Sequence, residues 1–253
     1  MKALFYIFSL FPKPFFIYLV DLYLFTRIYK FFSSYKVTKI NLEIAYPDLK
    51  KNDILLISKL SIRESIISGF ETLYTWGRDD YESNAQIFKI TNNFLLNKLY
   101  SRDKGLIAVS IHNRSVDMIL KWINSNIKTT SLYKKVKIKL LERFVKKDRE
   151  SGGSIAVETS ISGVRKILKA LRSQKAICFA ADQVPQRGLG EYIKLYNRDA
   201  YTTTLVQTLA TKTNAPVLYF YLNSNKDNFL SITLKQCNSN IYNDSKHKLL
   251  VNQ

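Results

Sequence analysis

Gly105-Leu106-Ile107-Ala108-Val109-Ser110-Ile111-His112-Asn113-Arg114-Ser115-Val116-Asp117 changes character halfway along. A glycine and a short apolar run read as a buried strand that ends in a polar turn. Residues five apart on one continuous helix are rotated by about 140° at roughly 3.6 residues per turn. His112 and Asp117 therefore meet only if His112 lies in the turn and Asp117 in the first turn of the following helix. A carboxylate there holds the imidazole in one tautomer and stabilises its protonated form, which suits the ring to general-base work.

Outward from this unit the chain alternates. Apolar runs predict strands at residues 87–90, 106–111, 129–133, 155–157, 176–180, 217–222 and 229–234. Between them fall predicted helices at 91–102 (capped by Thr91), 116–124, 138–147, 162–172 and 203–212, with a longer helix before them at 51–76. Strands and helices in this rhythm predict a layered α/β domain with a mostly parallel sheet flanked by helices. Ligands of such sheets gather outside the carboxyl ends of the strands, where His112 and Asp182 would both fall.

Composition narrows the partners. The chain has 253 residues, with 39 Lys plus Arg against 20 Asp plus Glu and a formal charge of +19. That field favours anionic partners, but no zinc finger, aromatic RNA-binding strand or Walker loop supports nucleic acid. Cys178 and Cys237 lack metal-ligand spacing. They read as small apolar residues in a reducing compartment, with no metal site and no disulfide framework.

From residue 3 to 32 the chain is rich in Leu, Phe, Ile and Tyr, interrupted by Lys13, Asp21, Arg27 and Lys30. Its longest uncharged piece, residues 3–12, falls short of the ~18 residues of a clean spanning helix. No signal-peptide pattern is evident. The segment reads as an uncleaved helix, or a pair broken near Pro12 and Pro14, lying in or partly through a bilayer. Its aromatics suit the membrane interface. An apolar helix packed on the protein's own core is the alternative. The expected organisation is an anchor at 1–36 and a catalytic domain at 37–253, with the basic domain on the cytoplasmic side of an anionic membrane.

Three further segments carry candidate residues. Asp182 and Gln183 follow the apolar run 176–181, either as a strand-end turn or as substrate-positioning groups. Thr202, Thr203 and Thr204 precede a helix that they start and pack, or whose amino terminus receives a phosphate. Residues 134–149 carry eight basic side chains against Glu142 and Asp148. These form a solvated face or a dock for an acidic protein, glycolipid phosphates or anionic headgroups.

Taken in order, these pieces resemble the late acyltransferases of lipid A biosynthesis, the lauroyl and myristoyl transferases of Gram-negative bacteria. The resemblance runs from Ile40-Asn41-Leu42-Glu43-Ile44-Ala45-Tyr46-Pro47 through Glu71, Trp76 and the His112–Asp117 pair. It continues through Leu132-Tyr133-Lys134, Arg149, Gly152-Gly153 and Ala181-Asp182-Gln183. Beyond these come Thr202-Thr203-Thr204 and the run from Leu209 to Val217. Departures lie in Asn113-Arg114-Ser115-Val116, where the family usually has Gly-Asn-Trp, in Lys134 for Arg, and in the run from Val184 to Tyr192. The resemblance implies a divergent member, shortened at its carboxyl end.

What it implies is a glycerolipid-acyltransferase-like fold and direct transfer of a fatty acyl chain. The donor would be the phosphopantetheine thioester of an acyl carrier protein, with no bound cofactor. The acceptor would be a hydroxyl of a lipid A precursor at the cytoplasmic face of the inner membrane. His112 would be the base and Asp117 its orienting carboxylate, with Arg149 as the oxyanion donor and Tyr133, Lys134, Asp182, Gln183 and Thr203 on the substrates. No serine or cysteine sits in a nucleophile-elbow context, so no acyl-enzyme is expected. Two other readings stay open: the same chemistry on a lysophospholipid or another glycolipid, and an inactive protein that binds membrane surfaces.

Overall fold

The computed structural model describes residues 1–101 and 103–242. Contacts divide the chain into two compact units, Lys2–Gly77 and the remainder from Arg78 onward.

The first unit is helical: α1 (Lys2–Ser9), α2 (Lys13–Phe25), α3 (Ser33–Ala45) and α4 (Lys51–Gly77). Pro12 takes an extended conformation before α2 (ψ 123°), and Pro14 sits in the first turn, where a missing N–H costs the helix nothing. The break bends α1 against α2 by 80°. Among the described residues no single helix is long and apolar enough to cross a membrane, although this bent pair passes by length and composition together. Two charges that interrupt the apolar amino terminus are paired onto α4. Lys13 reaches the buried Glu71 at 3.0 Å, and Asp21 takes a two-point contact from Arg63 at 2.6 and 3.2 Å. Phe16 stacks on Phe70, and Val20, Leu24, Tyr29, Tyr35 and Ile62 close a small core. Contacts thus group residues 37–77 with the segment 1–36 expected as an anchor.

The second unit holds a seven-stranded sheet in the order β1-β9-β8-β2-β5-β3-β4. Its strands are β1 (Ile87–Thr91), β2 (Leu106–Ser110), β3 (Thr129–Tyr133), β4 (Ile155–Glu158), β5 (Ala176–Ala180), β8 (Val217–Ser224) and β9 (Leu230–Gln236). Only β8 and β9 run antiparallel; every other neighbouring pair is parallel, as the alternation predicts. The helices are α5 (Asp80–Asn84), α6 (Phe94–Tyr100), α7 (Val116–Asn126), α8 (Lys139–Arg149), α9 (Ile161–Arg172) and α10 (Leu205–Thr213). One face of the sheet packs on α6 and α7 through Leu96, Met118, Ile119, Trp122 and Ile123. The other packs on α9 and α10 through Ile167, Leu171, Val206 and Leu209. Covered on both faces, β2 is buried at every position, so its sequence is a continuous apolar run. Gly105 (φ +73°) turns the chain into β2, and a Cβ there would lie 2.7 Å from the Lys175 carbonyl oxygen.

Two local readings change. Thr91 does not cap a helix: its β-branched side chain suits the ladder, and it pairs with Thr233 before Asn92 (φ +61°) turns the chain into α6. The far end expected for that helix, Arg102, lies outside the described residues. The sequence also gave no sign of a two-stranded antiparallel hairpin, β6 (Gly190–Leu195) with β7 (Arg198–Thr203).

Candidate active site

The turn after β2 and the turn after β5 face each other because of strand register. Leu106 pairs with Ala176 and Ser110 with Ala180, and the Ala181 N–H continues the ladder onto the Ser110 carbonyl at 3.1 Å. Two residues further on, His112 and Asp182 stand side by side. The His112 backbone N–H donates to Asp182 Oδ2 at 2.6 Å, and the ring Nδ1 lies 2.7 Å from Oδ1. A carboxylate accepts only, so Nδ1 carries a proton, and in the neutral ring Nε2 keeps its lone pair. Gln183 Nε2 lies 3.3 Å from that nitrogen and donates to it. About two-fifths of the His112 side chain is exposed, so the ring is reachable from solvent.

The expected partner of His112 was Asp117, and here the reading is corrected. Ser115 caps α7 by accepting from the Met118 N–H at 3.3 Å, which places Asp117 in the first turn, buried. Its Oδ1 accepts from Arg149 Nε at 2.7 Å rather than from the imidazole. Arg149 is the last residue of α8, and its carbonyl accepts from Asn124 of α7 at 3.0 Å. The guanidinium lies 5.5 Å from the centre of the Tyr133 ring. Two carboxylates thus hold two different groups, Asp182 the imidazole and Asp117 the guanidinium.

Both held groups line one cavity of about 420 Å³. Tyr133, Lys134, Gln183 and Thr203 also line it, while Asp117 and Asp182 stand behind Arg149 and His112. Thr203 Oγ1 accepts from the Leu205 N–H at 3.2 Å at the start of α10. Much of the remaining wall is apolar: Val116, Ile119, Leu120, Leu132, Phe179 and Leu205. Cys178 also reaches the wall, but burial pushes its thiol up to about 12, so it is a neutral small group there rather than a nucleophile. Among the described residues no three His, Cys, Asp or Glu side chains gather as metal ligands.

Glu142, one of two acids within a basic segment of the sequence, has a definite place in the structure. It is buried, and it accepts from the Tyr133 hydroxyl at 2.5 Å and from the Val136 N–H at 2.7 Å. Burial pushes its carboxyl up, but those two donors, with Lys135 and Arg149 nearby, outweigh burial and hold it below the ordinary range. Tyr133 moves the other way: burial first, then the Glu142 carboxylate, raises its phenol, so it stays a neutral donor. Nothing local in the sequence marks Glu142, because its contacts reach back nine and six residues across a turn.

A histidine held by one carboxylate and an arginine held by another, both lining a cavity of mixed apolar and polar wall on the carboxyl side of a mostly parallel sheet, are the site of an α/β enzyme. The family model for bacterial lipid A biosynthesis acyltransferase matches residues 3–246, and the chain belongs to that family. It is therefore an acyltransferase of lipid A synthesis, taking a lipid acceptor and an acyl donor. The family is usually membrane-associated. No individual curated protein matches the chain.

Proposed function

We propose that the chain moves a fatty acyl group from the phosphopantetheine thioester of an acyl carrier protein to a hydroxyl of a phosphorylated lipid A precursor. The observation that carries this reading is the two-point hold of Asp182 on His112, which puts the proton of the neutral ring on Nδ1 and makes Nε2, beside the cavity, its basic nitrogen. The acceptor hydroxyl gives its proton to Nε2 as its oxygen attacks the thioester carbonyl, and Asp182 offsets the charge the ring gains. Arg149, aimed by Asp117, faces the oxyanion of the tetrahedral intermediate. Collapse forms the ester and breaks the C–S bond, and the departing thiolate takes the proton back from the imidazolium. No acyl-enzyme is needed.

Several features support the two substrates. A cavity of about 420 Å³ with an apolar wall falls within the ~300–1,000 Å³ of small-ligand sites and suits an acyl chain. Lys134 on the cavity wall suits a phosphorylated acceptor. The exposed apolar residues of α1 and α2, Phe15, Leu22 and Phe25 among them, suit anchoring at the cytoplasmic face of the inner membrane.

The test is transfer by the full chain in detergent, offered acyl carrier thioesters with a lipid A precursor, a lysophospholipid and no acceptor. Product on the lipid A precursor that disappears in His112→Ala supports the proposal. Undiminished transfer by His112→Ala refutes the base, and product on the lysophospholipid alone refutes the acceptor.

A further inference from the structure

β5, β3 and β4 are neighbours in the sheet and run parallel, so the connections leaving their carboxyl ends emerge together, on the side where His112 lies. Those connections expose large apolar side chains. Ile138 and Leu140 follow β3, Ile161 follows β4 and Val184 follows β5, with 62–78 % of each residue open to solvent. At the opposite end of these three strands, Ile155 is the one large apolar side chain exposed among the described residues. The asymmetry is not a matter of loop composition alone, since Ile138 and Leu140 sit among Lys134, Lys137, Lys139 and Arg143, all exposed. Glu142, the one acid of that run, is turned inward onto Tyr133 and Val136 and sits among the buried residues, so it offsets little of the outward charge. Arg187 adds an exposed cation after β5.

We propose that this rim docks the second unit on an anionic bilayer. Ile138, Leu140, Ile161 and Val184 enter the boundary between headgroups and acyl chains, and Lys137, Lys139, Arg143 and Arg187 stay at the phosphates. Lysine and arginine keep their charges in water while their stems lie on apolar surface, so cations interleaved with aliphatic groups match a bilayer interface on both counts. An acidic protein would have to match each of the four aliphatic side chains with apolar surface of its own, whereas an anionic bilayer offers both layers along the whole rim. Lys134 and Val184 belong both to the rim and to the cavity wall. The docked enzyme therefore opens its cavity towards the lipid; this consequence rests on the acyl-transfer reading, and the docking itself does not.

The experiment places a bimane fluorophore at one position at a time in the full chain carrying Cys178→Ala and Cys237→Ala. The labelled variants are Ile138→Cys, Ile161→Cys and Val184→Cys, with Ile155→Cys at the opposite end for comparison. Each is mixed with phosphatidylglycerol–phosphatidylethanolamine vesicles whose acyl chains are brominated. Quenching of at least about twofold at 138, 161 and 184, with none at 155, is the expected result, and Lys137→Glu with Lys139→Glu should abolish most of it at 138. Quenching at 155 equal to the other three overturns the proposal. So does its absence at all three while the protein floats with the vesicles. A response of the three probes to acyl carrier protein but not to brominated lipid also overturns it and assigns the surface to a protein partner. None of these readouts uses turnover, so a failed acyl-transfer reading leaves them intact.

Discussion

Asp182 meets His112 through both carboxylate oxygens because β2 and β5 run parallel at a constant offset of seventy residues. The contact is an extension of the sheet ladder rather than a chance meeting of two loops. One oxygen fixes the backbone of the turn and the other fixes the ring, so the imidazole is held in one tautomer and one direction.

The dyad should therefore behave as one unit in kinetics. Asp182→Asn keeps a polar group on the turn but places an amide where Nδ1–H needs an acceptor with full charge. We expect turnover to fall by about 10²–10⁴, comparable with His112→Ala, while KM for the acceptor changes by less than about threefold. Steady-state kinetics with circular dichroism on the same samples checks this. A large rise in KM with unchanged kcat would give Asp182 a role in binding instead.

The second carboxylate should report on a different unit. Arg149→Ala should cost about 10²–10³ in kcat, the scale of losing one oxyanion donor. Asp117→Asn should cost less, because the guanidinium remains but is no longer aimed. In a double-mutant cycle, Asp117→Asn should add almost nothing to Arg149→Ala, yet combine additively in log kcat with Asp182→Asn. The reverse pattern would return Asp117 to the imidazole.

The strand–turn–helix at 105–117 was legible because burial on both faces leaves an apolar run that ends in a polar turn, although the Ser115 cap that starts the helix was not read from the sequence. The same logic located β3, β4, β5, β8 and β9 within a few residues. The β6–β7 hairpin escaped because only Ile193 among its strand residues is fully buried, so no apolar period marks it. Pairing was the harder matter. That Asp182 lies at a strand end is written locally, but which strand it stands beside is fixed by register, which no stretch of either strand encodes alone. The Asp117–Arg149 pair spans 32 residues and depends on how α8 crosses α7, and is equally invisible.

Glu142 should matter to binding through the segment it seats. Glu142→Ala leaves the Tyr133 hydroxyl and the Val136 N–H without their acceptor, which should destabilise the fold by about 1–3 kcal/mol in urea titration. Lys134 stands between those two anchored points. KM for the phosphorylated acceptor should therefore rise more than kcat falls, and Glu142→Gln, which keeps one acceptor oxygen, should recover part of both. Equal losses in KM and kcat for the two variants would make Glu142 a general fold residue.

Asp148 supplies a pH signature of stability separate from the chemistry. It pairs with the buried Lys121 at 3.1 Å, and the Lys121 ammonium also donates to the Arg78 carbonyl at 2.7 Å. Burial nonetheless raises the Asp148 carboxyl from 3.8 to about 6; Lys121 opposes this and the Asp117 charge adds to it. A folded-state value above the unfolded one means the native chain holds this proton more tightly. Its contribution is complete below about pH 4 and is lost as pH rises through about 6. The loss is about 2 kcal/mol, taking roughly two pKa units at 1.36 kcal/mol each and allowing for partial solvent access. Asp148→Asn mimics the protonated form and removes this slope, so its urea midpoint relative to the parent should be higher at pH 7 than at pH 4.5. If Asp148→Asn instead lost ground towards pH 7, the attraction to Lys121 would outweigh burial, and the pair would be an ordinary stabilising salt bridge.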